Sequence, residues 1–510
     1  MKHWIILPIL LPLFCGALLI LFSRWGLMLQ RTLSVITIVA LLALSGWLFY
    51  SAANGDYQTY ALGNWPAPYG IVLVLDRLSA LMLMLTALVS VFSVWYALHG
   101  TDARGRYFHA LWQFQLLGLN GAFLTGDLFN LFVFFEILLI ASYGLLLHGG
   151  GAARIRAGLH YVILNLVGSA FFLFAVGTLY GITGTLNMAD LAVKIANAPA
   201  DNTALLHAGA LLLLVVFALK AALLPLYFWL PSAYSSTSAP VAALFAIMTK
   251  VGVYAILRVF TLTFGPMAGE TANIAVPWLL PLALATLVAG TFGALASRDL
   301  RTLLAYFVLV SIGTLLTGVG LFSSQALSAA LLYLIHTTLI TAGMFLLADV
   351  ISLQRGDVNE YAKPPVAQPL LLGLLFFTGA IAMAGMPPLS GFLGKLMILL
   401  AAHEHPALAW VWSILLSTSL LGIIAFSRMG SALFWRTSGY TPTGEPMPLK
   451  HLTPVILLLV CSPLLVILSG PVTSFTAATA RQLLHPADYL ESVLGSQTLD
   501  VNDANLKDTP

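Results

Sequence analysis

Glu136, Lys220, Lys250 and Lys395 each stand near the middle of a long apolar run, in a chain that otherwise keeps its charges out of such runs. A charged side chain at the centre of a bilayer costs roughly 2.5–3.5 kcal/mol on insertion scales. Four of them cost about 10–14 kcal/mol, comparable with the roughly 5–15 kcal/mol that holds an ordinary domain together. Packing alone seldom sustains such a burden, and the chemistry these residue types share is proton movement. A desolvated ammonium gives up its proton more readily than one in water, whereas a carboxylate beside it holds the proton in place. Lysine outnumbers carboxylate three to one in this set. A site that coordinates a cation directly wants several oxygen ligands, so the set suits proton carriage better than sodium binding.

Each residue also has a plainer alternative. Lys250 lies about ten residues from either end of the run 240–260, roughly 15 Å from each interface at ~1.5 Å per residue. A lysine stem reaches only about 6 Å, so snorkelling cannot rescue it and the amine must face protein or water. Tyr254, one turn on, shares its face and offers a hydrogen-bond partner. Glu136 has no cation one turn away in either direction, so any partner comes from another helix; the alternative is a static ion pair that fixes packing. Lys220 comes just before Pro225, where backbone carbonyls freed by the proline can solvate its ammonium. Lys395 has no carboxylate in its own run, and snorkelling toward the outer face is its alternative. His336 is mid-run too; an unperturbed imidazole titrates near 6.5 and suits a proton shuttle, though a hydrogen-bonded packing role is as good a reading. Asp76, Arg77, Asp127 and Asp349 stand at the ends of runs and read as interfacial residues.

The elements that position these groups follow from composition. Of 510 residues, 60% are hydrophobic and 8% charged, with mean hydropathy +0.96. Soluble domains carry about 25% charged residues, so this is a polytopic membrane protein. The net charge of +3 decides nothing by itself. Cys15 and Cys461 sit in apolar runs without metal spacing. There is no Gly-rich nucleotide loop, CxxC pair, HExxH or basic–aromatic patch. No cofactor and no nucleic-acid partner is expected, and no metal ligands are assigned. The run Ile5–Phe22 lacks a small-residue cleavage site and reads as a retained helix.

A crossing helix needs about 20 apolar residues. The expected fold is all-α, with about fourteen spans near 5–22, 32–50, 71–97, 109–125, 128–147, 158–180, 204–230, 240–260, 276–296, 303–321, 327–349, 368–400, 408–427 and 453–470. With the N-terminus outside, thirteen Lys and Arg fall in inside loops, four outside and five within spans, which accounts for all 22. That is a strong positive-inside bias, and losing any interior span destroys it. Both termini then face outside. The turn cluster Gly356–Lys363 closes one inside connection, and the tail from about 471 reads as a short surface helix plus a disordered end.

Two spans are interrupted, the seventh at Pro225 and the twelfth at Pro387-Pro388, each with a lysine nearby. In lipid such breaks persist only where protein or water satisfies the freed backbone. Breaks at matching places in two halves point to an inverted-repeat transporter; simple proline kinks are the alternative. The organisation expected is helices 1–3 over 1–108, a first five-helix repeat over 109–260, a second over 276–428, and a last helix with a polar tail over 453–510.

The stretch Gly126-Asp127-Leu128-Phe129-Asn130-Leu131-Phe132-Val133-Phe134-Phe135-Glu136 resembles the fifth helix of the proton-pumping antiporter-like family. That family includes membrane subunits of respiratory complex I, membrane-bound hydrogenases and Mrp-type (Mnh, Pha) multisubunit cation/proton antiporters. The likeness extends through His160–Ser169, Gly181–Leu191, Thr249–Tyr254, Ser297–Tyr306 and Gly385–Phe392, and its wording looks most like the D-type subunits of the Mrp antiporters. The resemblance implies fourteen helices, two inverted five-helix repeats and broken helices seven and twelve. It also implies that Glu136 pairs with Lys220, that Lys250 is the central relay lysine, that His336 lies on the connecting polar axis and that Lys395 ends the second half. It implies a proton-translocating subunit of a bacterial inner-membrane Na+/H+ antiporter, with H+ and Na+ as the ions moved. Its expected partners are a large A-type subunit, small membrane subunits and the lipid bilayer. The rival is a pump module of complex I or a membrane hydrogenase. Lys395 stands where the middle complex I subunit usually has glutamate.

Overall fold

The computed structural model describes residues 2–356, 363–438, 442 and 444–495. Three helices lead: α1 (Leu7–Leu21), α2 (Leu27–Ala52) and α3 (Arg77–Ala97). Then come α4 (Phe108–Leu124), α5 (Leu128–Leu147), α6 (Ala152–Thr183) and the short α7 (Met188–Ala196). The pair α8 (Thr203–Ala221) and α9 (Trp229–Ser236) precedes α10 (Ala239–Leu262), α11 (Val276–Ala296), α12 (Leu300–Gly320) and α13 (Ser324–Arg355). A second pair, α14 (Pro369–Ala384) and α15 (Ser390–Ala401), precedes α16 (Leu408–Phe434) and α17 (Leu449–Ile467), and α18 (Ser469–Leu484) and α19 (Ala487–Leu494) close the described chain.

Among the described residues, eleven helices are long and apolar enough to cross a membrane, and α1, α14 and α15 are shorter apolar helices. Side-chain caps set several starts. The carboxylate of Asp76 accepts from Ser79 N at 2.9 Å, that of Asp127 from Asn130 N at 2.8 Å and that of Asp299 from Thr302 N at 2.8 Å. Each satisfies an amide that the first helical turn leaves without a partner. The fifth and ninth spans fall on α5 and α11 with the expected bounds, 128–147 and 276–296.

The centre of the molecule is α10, α12 and α13, with α10 and α13 enclosed along their whole apolar length. Lacking a hydrophobic drive between helices in lipid, such contacts depend on close backbone approach through small residues. A Cβ on Gly252 would lie 2.4 Å from Ala221 N, and one on Gly313 2.6 Å from Leu287 N. α10 is thereby pressed against the end of α8, and α12 against α11.

Three expectations are corrected. The fold is not purely α: β1 (Gln58–Ala61) pairs antiparallel with β2 (Val72–Leu75), Gln58 opposite Leu75 and Ala61 opposite Val72. The third span therefore begins at Arg77 rather than 71, because the short apolar run Val72–Leu75 finds a strand partner and Asp76 then caps the helix. The tail is two helices rather than one surface helix, since α18 buries Thr476, Thr479 and Leu483 and bonds Ser328 through Thr476 at 3.0 Å. Its expected disordered end and residues 357–362 of the Gly356–Lys363 turn lie outside the described residues.

Candidate functional site

Both helix pairs are held apart by the same backbone device. α8 ends where Ala222 turns left-handed, at φ 59°, and Leu223 N reaches back to Ala218 O at 2.8 Å. α14 ends where Gly385 does so, at φ 81°, and Met386 N reaches back to Ile381 O at 3.0 Å. This six-residue closure satisfies carbonyls that the helix end exposes. Pro225 follows the first closure, and Pro387 and Pro388 the second. Neighbours take up the rest: Leu224 N donates to Thr286 Oγ1 at 2.8 Å and Trp229 Nε1 to Leu219 O at 3.1 Å.

Lys220, in the last turn of α8, is 8% exposed. Its amine donates to Asn165 Oδ1 at 3.1 Å and lies 5.9 Å from the centre of the Phe135 ring. Glu136, half-buried on α5, accepts from the hydroxyl of Ser169, which also faces Asn165 O at 3.0 Å. Two expectations change here. Glu136 and Lys220 make no direct ion pair; each bonds an uncharged α6 side chain instead, Ser169 and Asn165. The freed carbonyls do not solvate Lys220 either, because Asn165 takes that place.

Lys250, in the middle of α10, is fully buried. Its amine has no hydrogen-bond partner among the described residues. The expected partner is committed elsewhere: Tyr254 donates to Phe123 O at 2.7 Å. The close approach at Gly252, where a Cβ would lie 2.8 Å from the carbonyl carbon of Lys220, sets the two lysine-bearing backbones side by side.

His336 on α13 is buried, with Nδ1 2.7 Å from Ser390 Oγ. Ser390 opens α15 and is 2.8 Å from Ser462 Oγ on α17. Gly391 lets this half-helix close on the ring, since a Cβ there would lie 2.8 Å from His336 Nε2. Lys395 is 6% exposed and turns inward. Its amine donates to Ala384 O at 2.8 Å and to Ser419 Oγ at 2.9 Å. It does not snorkel; a carbonyl at the end of α14 solvates it, the arrangement expected at Lys220.

The charges read as interfacial divide. Asp76 is buried and bonds Arg258 of α10 at 2.7 Å, and Asp349 is held by Arg301 and by Tyr96 at 2.9 Å. Asp127 stays at the start of α5, its carboxylate on the helix amides, and Arg77 donates to Ala53 O at 3.0 Å. Among the described residues no three His, Cys, Asp or Glu side chains group to hold a metal. Reasoning from charge alone missed Asn165, Ser169, Ser390, Ser419 and Ser462. For the first two a signal was present: polar residues one helical turn apart inside an apolar run share a face.

Known proteins share the sequence pattern and the fold. Residues 125–422 match the family model described as NADH:quinone oxidoreductase/Mrp antiporter, TM. A Rhizobium meliloti (strain 1021) protein, named as a probable D-type K(+)/H(+) antiporter subunit, is 41% identical, covering 97% of this chain and 98% of its own. The D-type Na(+)/H(+) antiporter subunit of Alkalihalophilus pseudofirmus is 38% identical over 97% of this chain and 100% of its own. Among solved structures, a chain of the Mrp complex from Dietzia sp. DQ12-45-1b superposes with TM-score 0.87 at 27% identity, covering 97% of this chain and 100% of that one. A chain of the membrane-bound sulfane sulfur reductase, an archaeal respiratory membrane complex, reaches 0.89 at 25% identity with the same coverage. The chain belongs to the NADH:quinone oxidoreductase/Mrp antiporter transmembrane family.

Proposed function

We propose that the chain is the proton-translocating subunit of a multisubunit monovalent cation/proton antiporter, with Na+ as the exchanged cation. The observation that carries this reading is Lys250, whose amine is fully buried and without a partner among the described residues. An unpaired ammonium there is strongly disfavoured, so this amine is suited to spend part of a cycle neutral and to accept a proton from a neighbour. In this reading Lys220 is that neighbour, Glu136 sets when it releases, and His336 and Lys395 continue the path in the second half. Glu136 is half-buried in the single chain, which supports a switch that responds to an adjoining subunit. Partners are a large A-type subunit and small membrane subunits, and the setting is a bacterial inner membrane with both termini outside.

We infer fourteen crossings, counting α8 with α9 and α14 with α15 as one each, and two inverted repeats, α4–α10 and α11–α16. Three correspondences support the pairing. Asp127 and Asp299 cap the second helix of each repeat through the third amide. The third helices, α6 and α13, are each 32 residues long. The broken fourth helices share one backbone closure. The domain bounds 1–108, 109–260, 276–428 and 453–510 follow from that division.

A second reading, a pump module of a redox complex, is favoured by the equally close fit to the sulfane sulfur reductase chain. One experiment separates the two. The full complex is placed in vesicles, a proton gradient is imposed, and Na+, K+ or Li+ is added without any reductant. Antiport predicts cation-dependent collapse of the gradient. Collapse that needs a reductant overturns the proposal, and a response to K+ alone moves the cation to that named for the Rhizobium meliloti relative.

A further inference from the structure

We propose that Asn165 and Ser169 form an uncharged spacer that lets Lys220 sense the charge of Glu136 while denying the two a direct ion pair. The inference rests on the relay reading above. A contact ion pair in a low-dielectric setting would hold the lysine proton tightly, and Coulomb attraction roughly halves when the separation doubles. A single layer of neutral dipoles thus converts a lock into a bias.

The hydrogen bonds fit such a spacer. Asn165 Nδ2 donates to Tyr161 O at 2.9 Å, which fixes the amide so that Oδ1 faces Lys220 Nζ at 3.1 Å. An amide accepts from an ammonium but carries no titrating proton of its own. Ser169 has one hydroxyl proton and two acceptors, Glu136 Oε1 and Asn165 O. A charged Glu136 draws that proton; a neutral or withdrawn Glu136 returns it to Asn165 O. The hydroxyl therefore reads the carboxylate one turn from the amide that holds Lys220. Other groups facing Lys220 are the Phe135 ring, Tyr161 and Trp229, and Lys250 follows behind the Gly252 contact. Tyr161 is engaged with Ser142 at 2.8 Å, and Glu136 is the carboxylate bonded to Ser169. A cavity of about 20 Å³ beside Lys220 and Asn165 has room for about one water, which leaves the amine space to move.

The test is cation-dependent proton flux against pH in vesicles holding the assembled complex, normalised to the complex present. Asn165→Asp places a carboxylate directly on the amine; flux near neutral pH should fall at least tenfold and the profile should move to higher pH, where the amine again deprotonates. Ser169→Ala should lower flux several-fold and make it indifferent to a further Glu136→Gln change, while Ser169→Thr restores both. Wild-type pH profiles in Asn165→Asp and Ser169→Ala, with changes only in the amount of complex assembled, overturn the spacer. If Lys220→Ala still abolishes flux in that case, the relay stands without it; wild-type flux in Lys220→Ala overturns the relay itself.

Discussion

At the scale of single residues, Lys250 carries a cost that no protein group among the described residues offsets. Its amine has no partner among the described residues, whereas Lys220 has Asn165 and Lys395 has Ala384 and Ser419. Replacing an uncompensated buried charge by an apolar side chain of similar length is neutral or stabilising. Lys250→Met should therefore keep or raise the melting temperature of the complex while flux falls at least tenfold; a lower melting temperature would assign the lysine to packing. Asp102 behaves in the opposite sense. Burial works against its ionisation, but hydrogen bonds from His109 and Arg31 outweigh burial and hold its pKa at about 2. A carboxyl held below its unfolded value of roughly 3.9 adds stability that is complete above that value and disappears as pH falls toward the folded one. Asp102→Asn should cost about 1–3 kcal/mol at pH 7, and thermal melts of variant and wild type should converge between pH 4 and pH 2. The depth of Lys250 was legible because spacing along one helix is a sequence property. Asn165 as the partner of Lys220 was not, because that contact depends on how α6 and α8 meet.

At the scale of elements, the two breaks share a closure but not the residue that makes it. Ala222 adopts φ 59° with a Cβ, and Gly385 adopts φ 81° without one. An L-residue in this region costs roughly 1–2 kcal/mol, while glycine costs roughly 0.5–1 kcal/mol in lost freedom on folding. Ala222→Gly should thus change stability by less than about 1 kcal/mol. Gly385→Ala should do much more, since its Cβ would lie 2.7 Å from Lys395 Cδ and 3.1 Å from Lys395 Nζ. It displaces the amine from Ala384 O, so flux should fall with a shifted pH profile, whereas Ala222→Gly keeps both; equal effects would deny the lysine contact its role. The breaks were legible from proline in apolar runs. The non-equivalence of their lysines was legible only in part: Lys220 precedes its closure and Lys395 follows its own by ten residues. That order is plain in the chain, but only the packing reveals that the second lysine meets the freed carbonyl. The strand Val72–Leu75 was hidden because a short apolar run reads the same in helix and strand, and its partner Gln58–Ala61 decides the matter.

At the scale of the whole molecule, the charges and the packing bear together on orientation. Thirteen cations fall on one side of the expected spans and four on the other. Arg104, Arg154 and Arg301, all from the cation-rich side, surround one cavity of about 380 Å³ with Asp349. At the opposite end, α18 returns to the cation-poor loops: Gln482 donates to Gly55 O at 3.0 Å and accepts from Arg77 N at 3.2 Å, and Tyr57 stacks edge-on against Tyr489. The end of the described chain is thus tied to the α2–α3 connection, far from the arginines. An even number of crossings puts both termini on one side, and cations are retained on the cytoplasmic side. Alkaline phosphatase fused at the C-terminus should therefore be active and green fluorescent protein fused there dark, with the opposite pair of results for insertions at Gly150. A C-terminal fusion and a Gly150 insertion that are both fluorescent would put an even number of crossings between the two sites and overturn the count. A crossing lost within α4–α10 or α11–α16 would break the antiparallel relation proposed for the two, and with it the proposed entrance on each face of the membrane.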